Sequence, residues 1–358
     1  MSKLMVRILA GIAGAVVVAA IGIAGLLSFA PDRATDSWAL VAVSSLLAAI
    51  LLYGFVEYAQ TGQVESISRQ FDTRTIVLIP IAIAINIVLG AAVATALKIP
   101  VYLDSIGTIL VGALAGPIPG AITGLLANLL WTYVVPPPFQ GPAAAPFALV
   151  AAVIGLMAGG FAFLGWMRPR PGRSGRELTT AAVIAIGLIM VLAVLAYLGF
   201  RAILGDEVLT PSSDNTAFVI LGWLAILLVI GTVIGLLYLL FARRDVTAAY
   251  VVVAGVITGL VAAILSAPIS ANVFGGVTGA GTDFLVAAFR QGGADIAAAT
   301  LGQGLISDPI DKVITFFVVY VILGAMAVRT KARFPQGERL IAREGDVDPL
   351  FGAQGAMR

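Results

Sequence analysis

The side chains of this chain that could do chemistry are carboxylates, amides, hydroxyls, basic groups and aromatic rings. There is no cysteine and no histidine, which excludes disulfides, the usual zinc and iron–sulfur sites and a histidine proton relay. No Walker A pattern occurs, and the glycines of 275–281 do not fit a dinucleotide-binding sequence. We therefore expect no enzyme activity, cofactor, metal or ATPase in this chain. Hydrogen bonding and charge remain as means of binding a small molecule.

The candidate binding residues are polar side chains and one tryptophan, near breaks in long apolar stretches. They are Asn86, Asp104, Ser105, Thr108, Asn128, Trp131, Asn272, Thr278, Thr282, Asp283, Asp308 and Lys312. Several have a purely structural alternative. For Asp104 the alternative is that it serves solely as a cap of the short helix that follows it. For Asn86 and Asn128 the alternative is that they serve solely to hydrogen-bond neighbouring helices. Trp131 could belong to an interfacial aromatic belt.

The elements that must position these residues are membrane-spanning helices. Hydrophobic residues make up 60% of the 358 positions and charged residues 11%, against about 25% charged in soluble domains. Apolar runs of about 20 residues match a helical crossing. We predict an all-α, polytopic transmembrane bundle of about ten helices, at 5–29, 38–58, 75–97, 104–116, 118–135, 146–166, 179–201, 217–242, 248–271 and 309–328. The first run is too long for a typical secretory signal, so we expect it to be retained; cleavage at Ser28-Phe29-Ala30 is the alternative.

Lysine and arginine predict the orientation, because they accumulate in cytoplasmic loops. With the N-terminus inside, 16 of the 21 basic residues are cytoplasmic, and the other five are Arg33, Lys98, Arg201, Arg290 and Lys312. Both termini, including a basic tail at 329–358, are therefore expected in the cytoplasm. We expect the membrane to be the cytoplasmic membrane of a bacterium or archaeon. The partners are the lipid bilayer and a small molecule, and no nucleic acid is expected.

Three regions interrupt the regular pattern, all on or leading to the outer side. Segment 104–116 is short for a crossing and turns at Gly116-Pro117, which is typical of a transporter's binding region; a tilted hairpin without ligand is the alternative. Gly116, Gly120 and Gly124 form a close-packing groove that Asn128 continues. The proline-rich loop 136–142 predicts a stiff outer cap. The loop 272–308 predicts a short helix at the interface or dipping into the bundle.

The pair Asp308-Pro309 fits a helix N-cap followed by proline at the first helical position. We therefore expect a helix to begin there, with Asp311 and Lys312 in its first turn near the outer surface. With this placement no carboxylate lies at mid-depth, which disfavours an autonomous secondary transporter.

The run Leu97-Lys98-Ile99-Pro100-Val101-Tyr102-Leu103-Asp104-Ser105-Ile106-Gly107-Thr108, followed by Gly116-Pro117, resembles the substrate-binding S components of energy-coupling factor (ECF) transporters. Val273-Phe274-Gly275-Gly276 and Ser307-Asp308-Pro309-Ile310-Asp311-Lys312 share this resemblance. It covers about 75–166 and 248–328. It implies a six-helix core that captures a vitamin-like micronutrient from outside and docks on a transmembrane coupling subunit with two ATPases.

The chain departs from that family in length. Residues 1–74 add two helices, and 167–247 insert two more between the core parts 75–166 and 248–328. The small-residue pair Ala92-x-x-x-Ala96 has the spacing for docking but lies toward the outer end. The leading hypothesis is a substrate-capture subunit for micronutrient uptake. The alternative is a membrane sensor or an assembly subunit of a larger membrane complex.

Overall fold

The computed structural model describes residues 3–29, 34–91, 102–137, 140–171, 175–204 and 230–342, and every regular element in these ranges is helical. The helices are α1 (Lys3–Phe29), α2 (Ala34–Thr61), α3 (Glu65–Ser68), α4 (Thr73–Gly90), α5 (Ile106–Ala115), α6 (Pro117–Tyr133), α7 (Ala148–Phe163), α8 (Gly175–Leu204), α9 (Ile230–Ala242), α10 (Thr247–Phe274), α11 (Asp283–Gln291), α12 (Ile296–Ala325) and α13 (Val328–Lys331). Within the described ranges, six spans are long and apolar enough to cross a membrane. They agree with the predicted multi-pass helical bundle. Ala92, Ala96 and the first part of segment 217–242 lie outside the described residues.

The short helix α5 lies at the centre of the bundle. All ten of its residues are buried, because α4, α6, α7 and α12 surround a helix only about 15 Å long. The predicted short segment and tight turn are confirmed. Gly116 has a φ of 131°, which favours glycine, and α6 begins at the next residue.

Glycines bring the helices around α5 into close contact. A Cβ atom on Gly120 of α6 would lie 2.7 Å from the carbonyl oxygen of Gly155 in α7, and one on Gly124 would lie 2.3 Å from that of Ala151. The predicted glycine groove is therefore confirmed. Helices α10 and α12 meet similarly, since a Cβ on Gly259 would lie 2.3 Å from the Cα of Pro309.

Helix α12 differs most from its prediction. It begins at Ile296, where the Asp295 carboxylate accepts a hydrogen bond from Ala298 N, and it continues through Pro309 to Ala325. The prediction that Asp308 caps this helix is therefore wrong. Asp311 and Lys312 are buried near the middle of the helix, not near its first turn, so the placement from which we expected no carboxylate at mid-depth is also wrong. The expected short helix within 272–308 is present as α11.

Most arginines gather at one end of the bundle, here named the basic end. Its described basic residues are Lys3, Arg7, Arg69, Arg74, Arg168, Arg170, Arg176, Arg243, Arg244, Arg329, Lys331, Arg333 and Arg339. Residues 326–342 cover the helix ends there. Gln336 N donates to the Leu114 carbonyl at the end of α5, and Arg339 donates to the Phe163 carbonyl at the end of α7.

Candidate functional site

A cavity of about 290 Å³ lies at the end of the bundle opposite the basic end. Its helical lining comes from α6, α7, α10 and α12, and the rest comes from residues before α5 and from two loops, 140–147 and 275–282. The lining residues include Tyr102, Asp104, Ser105, Asn128, Trp131, Gln140, Phe147, Ile154, Ser266, Ser270, Thr278, Gln303, Asp308 and Lys312. An apolar wall with a few convergent polar groups is typical of a small-molecule site.

Asp311 fixes the floor of this cavity, although its own side chain is fully buried. Its Oδ1 atom accepts hydrogen bonds from Tyr102 N at 2.9 Å and Leu103 N at 3.0 Å, and its Oδ2 atom pairs with Lys312 Nζ. Leu103 has a φ of 53°, an uncommon conformation for a residue other than glycine. The two bonds to Asp311 hold that bend, which turns Asp104 and Ser105 toward the cavity.

Lys312 connects α12 to the start of α5. Its ammonium donates to Ser105 Oγ at 3.0 Å and lies 3.9 Å from the Asp104 carboxylate. Ser105 occupies the N-cap position of α5, so the alternative in which Asp104 only caps the helix is wrong. The charge of Asp104 is directed at Lys312 instead.

Asp308 lies one turn from Lys312 on the same side of α12. Its carboxylate accepts hydrogen bonds from Ser307 Oγ at 3.1 Å and from Ser266 Oγ of α10 at 3.4 Å. Gln303 donates to Ser307 Oγ at 2.6 Å. Two serine hydroxyls donate to this carboxylate, and the Gln303 amide positions one of them, so the carboxylate is held in a fixed orientation beside the cavity.

Trp131 forms a side wall. A Cβ on Gly141 would lie 2.7 Å from its ring, and one on Gly90 would lie 2.6 Å from it, so glycines on both sides leave room for the indole. Thr132 ties the following loop to α6, since its hydroxyl donates to the Gly141 carbonyl and accepts from Ala145 N. The described part of the proline-rich loop therefore folds back on α6 and lines the cavity.

Asp283 shapes the 275–282 loop. Its carboxylate accepts hydrogen bonds from the backbone N–H and the hydroxyl of Thr278, and from Gly279 N at 2.7 Å. Thr282 lies at the other end of the loop and shares a 2.6 Å hydrogen bond with the Tyr102 hydroxyl. These contacts place Thr278 and Gly279 against the cavity.

The structure brings most of the predicted binding residues together. Seven of them line the cavity: Asp104, Ser105, Asn128, Trp131, Thr278, Asp308 and Lys312. Thr282 and Asp283 support its rim instead. Asn272 is exposed and its amide donates to the Pro268 carbonyl, so it does not belong to the site.

Asn86 and Thr108 also lie outside the cavity. Their side chains hydrogen-bond to each other instead. Asn86 Nδ2 donates to Thr108 Oγ1 at 2.8 Å, and Asn86 Oδ1 accepts from Gly107 N at 2.7 Å. The alternative that Asn86 joins two helices is therefore confirmed. Asn128 differs, since its amide has no hydrogen-bond partner among the described residues and faces the cavity.

Replacing Asn86 by alanine is expected to lower the free energy of unfolding by about 1–3 kcal/mol, because Gly107 N then loses its partner in a buried site. Thermal unfolding of the detergent-purified variant measures this. Asn272→Ala is the matched control, since its amide is exposed and makes only a local bond. An Asn86→Ala variant as stable as this control would contradict the role of Asn86 in joining two helices.

The sequence did not reveal several residues that line or organise the cavity. Asp311 lies outside the cavity but organises it, and its partners Tyr102 and Leu103 are more than 200 positions away in the chain. Ser266 and Ser270 recur at a spacing of four on α10. Gln303, Ser307 and Asp311 do so on α12, and this polar stripe could have indicated one continuous helix through Pro309.

The charge of the site is unbalanced. Among the described residues in and beside the cavity, Asp104, Asp308 and Asp311 face one ammonium, that of Lys312. Asp311 is saturated by its bonds to backbone and lysine. The carboxylates of Asp104 and Asp308 therefore favour a ligand with a cationic or hydrogen-bond-donating group, while Trp131 and Phe147 suit an apolar or aromatic part.

Comparison of the chain with known protein families, curated proteins and solved structures finds no match. Among the described residues, no group of three or more acidic side chains is arranged to hold a metal ion. The site geometry is thus the basis on which a function can be argued.

Proposed function

We propose that this protein is a membrane-embedded capture subunit for a vitamin-like small molecule. The observation that carries this proposal is the cavity in which Asp104, Asp308 and Lys312 converge beside Trp131. Its volume of about 290 Å³ lies at the lower limit of known ligand pockets, which span roughly 300–1,000 Å³. A solute about the size of a single substituted ring fits that space.

The distribution of charge supports capture from outside the cell. The cavity lies opposite the basic end, and basic ends face the cytoplasm. Ten spans with both termini in the cytoplasm of a bacterial or archaeal cell remain part of this proposal. Residues 326–342 cover the basic end of α5 and α7, so a subunit that only captures the solute would need a partner to release it inward.

An ECF-type coupling subunit with two ATPases is the partner we propose. In support, the cavity draws its helical residues from α6, α7, α10 and α12, all in the part of the chain that resembles S components. Helices α8 and α9 pack on the outside of α10 in a separate apolar cluster. Co-purification of the tagged chain with an ATPase pair from its native membrane tests this arrangement.

Secondary transport coupled to a cation is a second candidate, favoured by the ionisable residues Asp308, Asp311 and Lys312 near the middle of α12. Uptake into vesicles that contain the purified chain alone separates the two candidates. Accumulation driven by a proton or sodium gradient supports secondary transport, while accumulation that requires ATP and added subunits supports capture.

Asn128→Ala is expected to weaken ligand binding about fivefold or more, through loss of one hydrogen bond, while the unfolding midpoint stays unchanged. The midpoint is insensitive because this amide bonds to no described residue. Native mass spectrometry with a panel of vitamins and their precursors identifies a ligand and measures its affinity. Asp308→Asn tests the charge requirement. A ligand bound equally by both variants and the native chain would contradict the proposed site.

A further inference from the structure

A second cavity, of about 580 Å³, opens at the basic end where α8, α10 and the residues after α7 meet. It is at the opposite end of α10 from the first cavity. Its lining combines charged, aromatic and apolar side chains, which include Arg170, Arg176, Glu177, Trp166, Tyr250, Ile184, Val246 and Val253. Two arginines against one glutamate give this surface a positive balance.

Arg170 is held in position by the protein. Its backbone N–H donates to Asp245 Oδ1 at 3.0 Å, and its Nη2 atom donates to the Gly165 carbonyl at 2.7 Å. Its guanidinium lies 4.4 Å from the centre of the Tyr250 ring. Because Asp245 also accepts from Thr247 N at the start of α10, the loop that carries Arg170 is fixed to that helix. A guanidinium ordered in advance loses less freedom on binding an anion.

Arg176 stands in the first turn of α8. A cation is unfavourable at this positive end of the helix dipole, and an anion bound there would be stabilised by both the dipole and the side chain. Further along α8 the same cavity is lined by Ile184, which is 47% exposed. The wall therefore changes from basic to apolar in the direction of the membrane interior.

We propose that this cavity binds the headgroup of an anionic phospholipid. Arg170 and Arg176 would bind its phosphate, since guanidinium groups recognise phosphate by paired hydrogen bonds. Trp166 and Tyr250 suit the interfacial region, where aromatic rings accumulate. The acyl chains would then follow Ile184 and Val253. Free phosphate would contact only the arginines of this surface and leave its apolar part uncovered, so a lipid is the better fit.

Titration of the detergent-purified chain with phosphatidylglycerol, read as the thermal unfolding midpoint, tests the proposal. Phosphatidylglycerol is expected to raise the midpoint more than phosphatidylcholine does, and inorganic phosphate is expected to have no effect. Arg176→Gln should weaken the apparent affinity about fivefold, the contribution of one arginine near a charged lipid surface. Arg329→Gln is the matched control, because Arg329 is an exposed arginine of α13 at the same end.

Three results would overturn the assignment of this cavity. They are equal stabilisation by both lipids, reproduction of the effect by inorganic phosphate, and an equal loss of affinity in Arg176→Gln and Arg329→Gln. Because Arg176 is exposed at a helix end, its glutamine variant keeps the fold, and loss of lipid response can be separated from unfolding.

Discussion

Asp311→Ala is expected to lower the free energy of unfolding by about 3–5 kcal/mol, the cost of breaking a buried ion pair from one side. Asp311 is fully buried and is the closest carboxylate to Lys312. Its removal leaves that ammonium buried, and among the described residues only Asp104 is then within ion-pair reach, at 3.9 Å. It also leaves the backbone N–H groups of Tyr102 and Leu103 without their acceptor.

Two further variants separate charge from hydrogen bonding. Asp311→Asn keeps an oxygen for the two backbone donors but loses the charge, so its stability should fall between the native chain and Asp311→Ala. Asp311→Ala combined with Lys312→Met removes the unpaired ammonium, and it should recover part of the lost stability. Thermal unfolding in detergent is the measurement, with Glu338→Gln as a control at an exposed carboxylate.

The ion-pair explanation would be contradicted if the double variant lost more unfolding free energy than the two single variants lose together. An Asp311→Ala variant as stable as the Glu338→Gln control would also contradict it. Binding should fail in Asp311→Ala even if the bundle stays folded. The bend at Leu103, which places Asp104 and Ser105 beside the cavity, depends on the two hydrogen bonds to this carboxylate.

Local features of the chain were enough to predict the centre of the fold. The short apolar segment before Gly116-Pro117 predicted α5 and its tight turn, because a glycine and a proline at those positions leave few backbone alternatives. The spacing of Gly120 and Gly124 predicted a close helix contact, because residues four positions apart lie on the same face of a helix. This prediction, too, needs only local sequence.

The course of α12 could not be predicted in this way. Asp308-Pro309 has the local chemistry of a helix start, but the helix runs through it, as α4 and α10 run through Pro80 and Pro268. Buried helices tolerate proline where neighbouring groups compensate for the missing bond. Here Gly259 of α10 lets Pro309 approach closely. That contact joins residues distant in sequence, and no local pattern contains it.

The candidate site was predictable in its residue types rather than in its connections. Asn128 and Trp131 stood out because an amide and an indole near a break in an apolar helix are unusual, and both line the cavity. The role of Asp311 could not be predicted, since it depends on hydrogen bonds to Tyr102 and Leu103, which lie more than 200 positions away in the chain.

Gly155→Ala is expected to destabilise the bundle by about 1–3 kcal/mol or more, through overpacking at the contact of α6 and α7. The added Cβ atom would lie 2.2 Å from the carbonyl carbon and oxygen of Gly120. Both are backbone atoms that no side-chain rotation can move away. The helices must separate, and Asn128 on α6 then shifts relative to Ile154 on α7 across the cavity.

Gly160→Ala is the matched control, because it lies in the same helix and its Cβ would meet nothing within 4 Å. This substitution should leave stability unchanged or raise it slightly, since alanine favours helix more than glycine does. Thermal unfolding of both variants in detergent decides the matter. Equal midpoints would contradict the close contact of α6 and α7. A lower midpoint for Gly155→Ala alone, together with loss of ligand binding, would show that this glycine contact sets the width of the cavity.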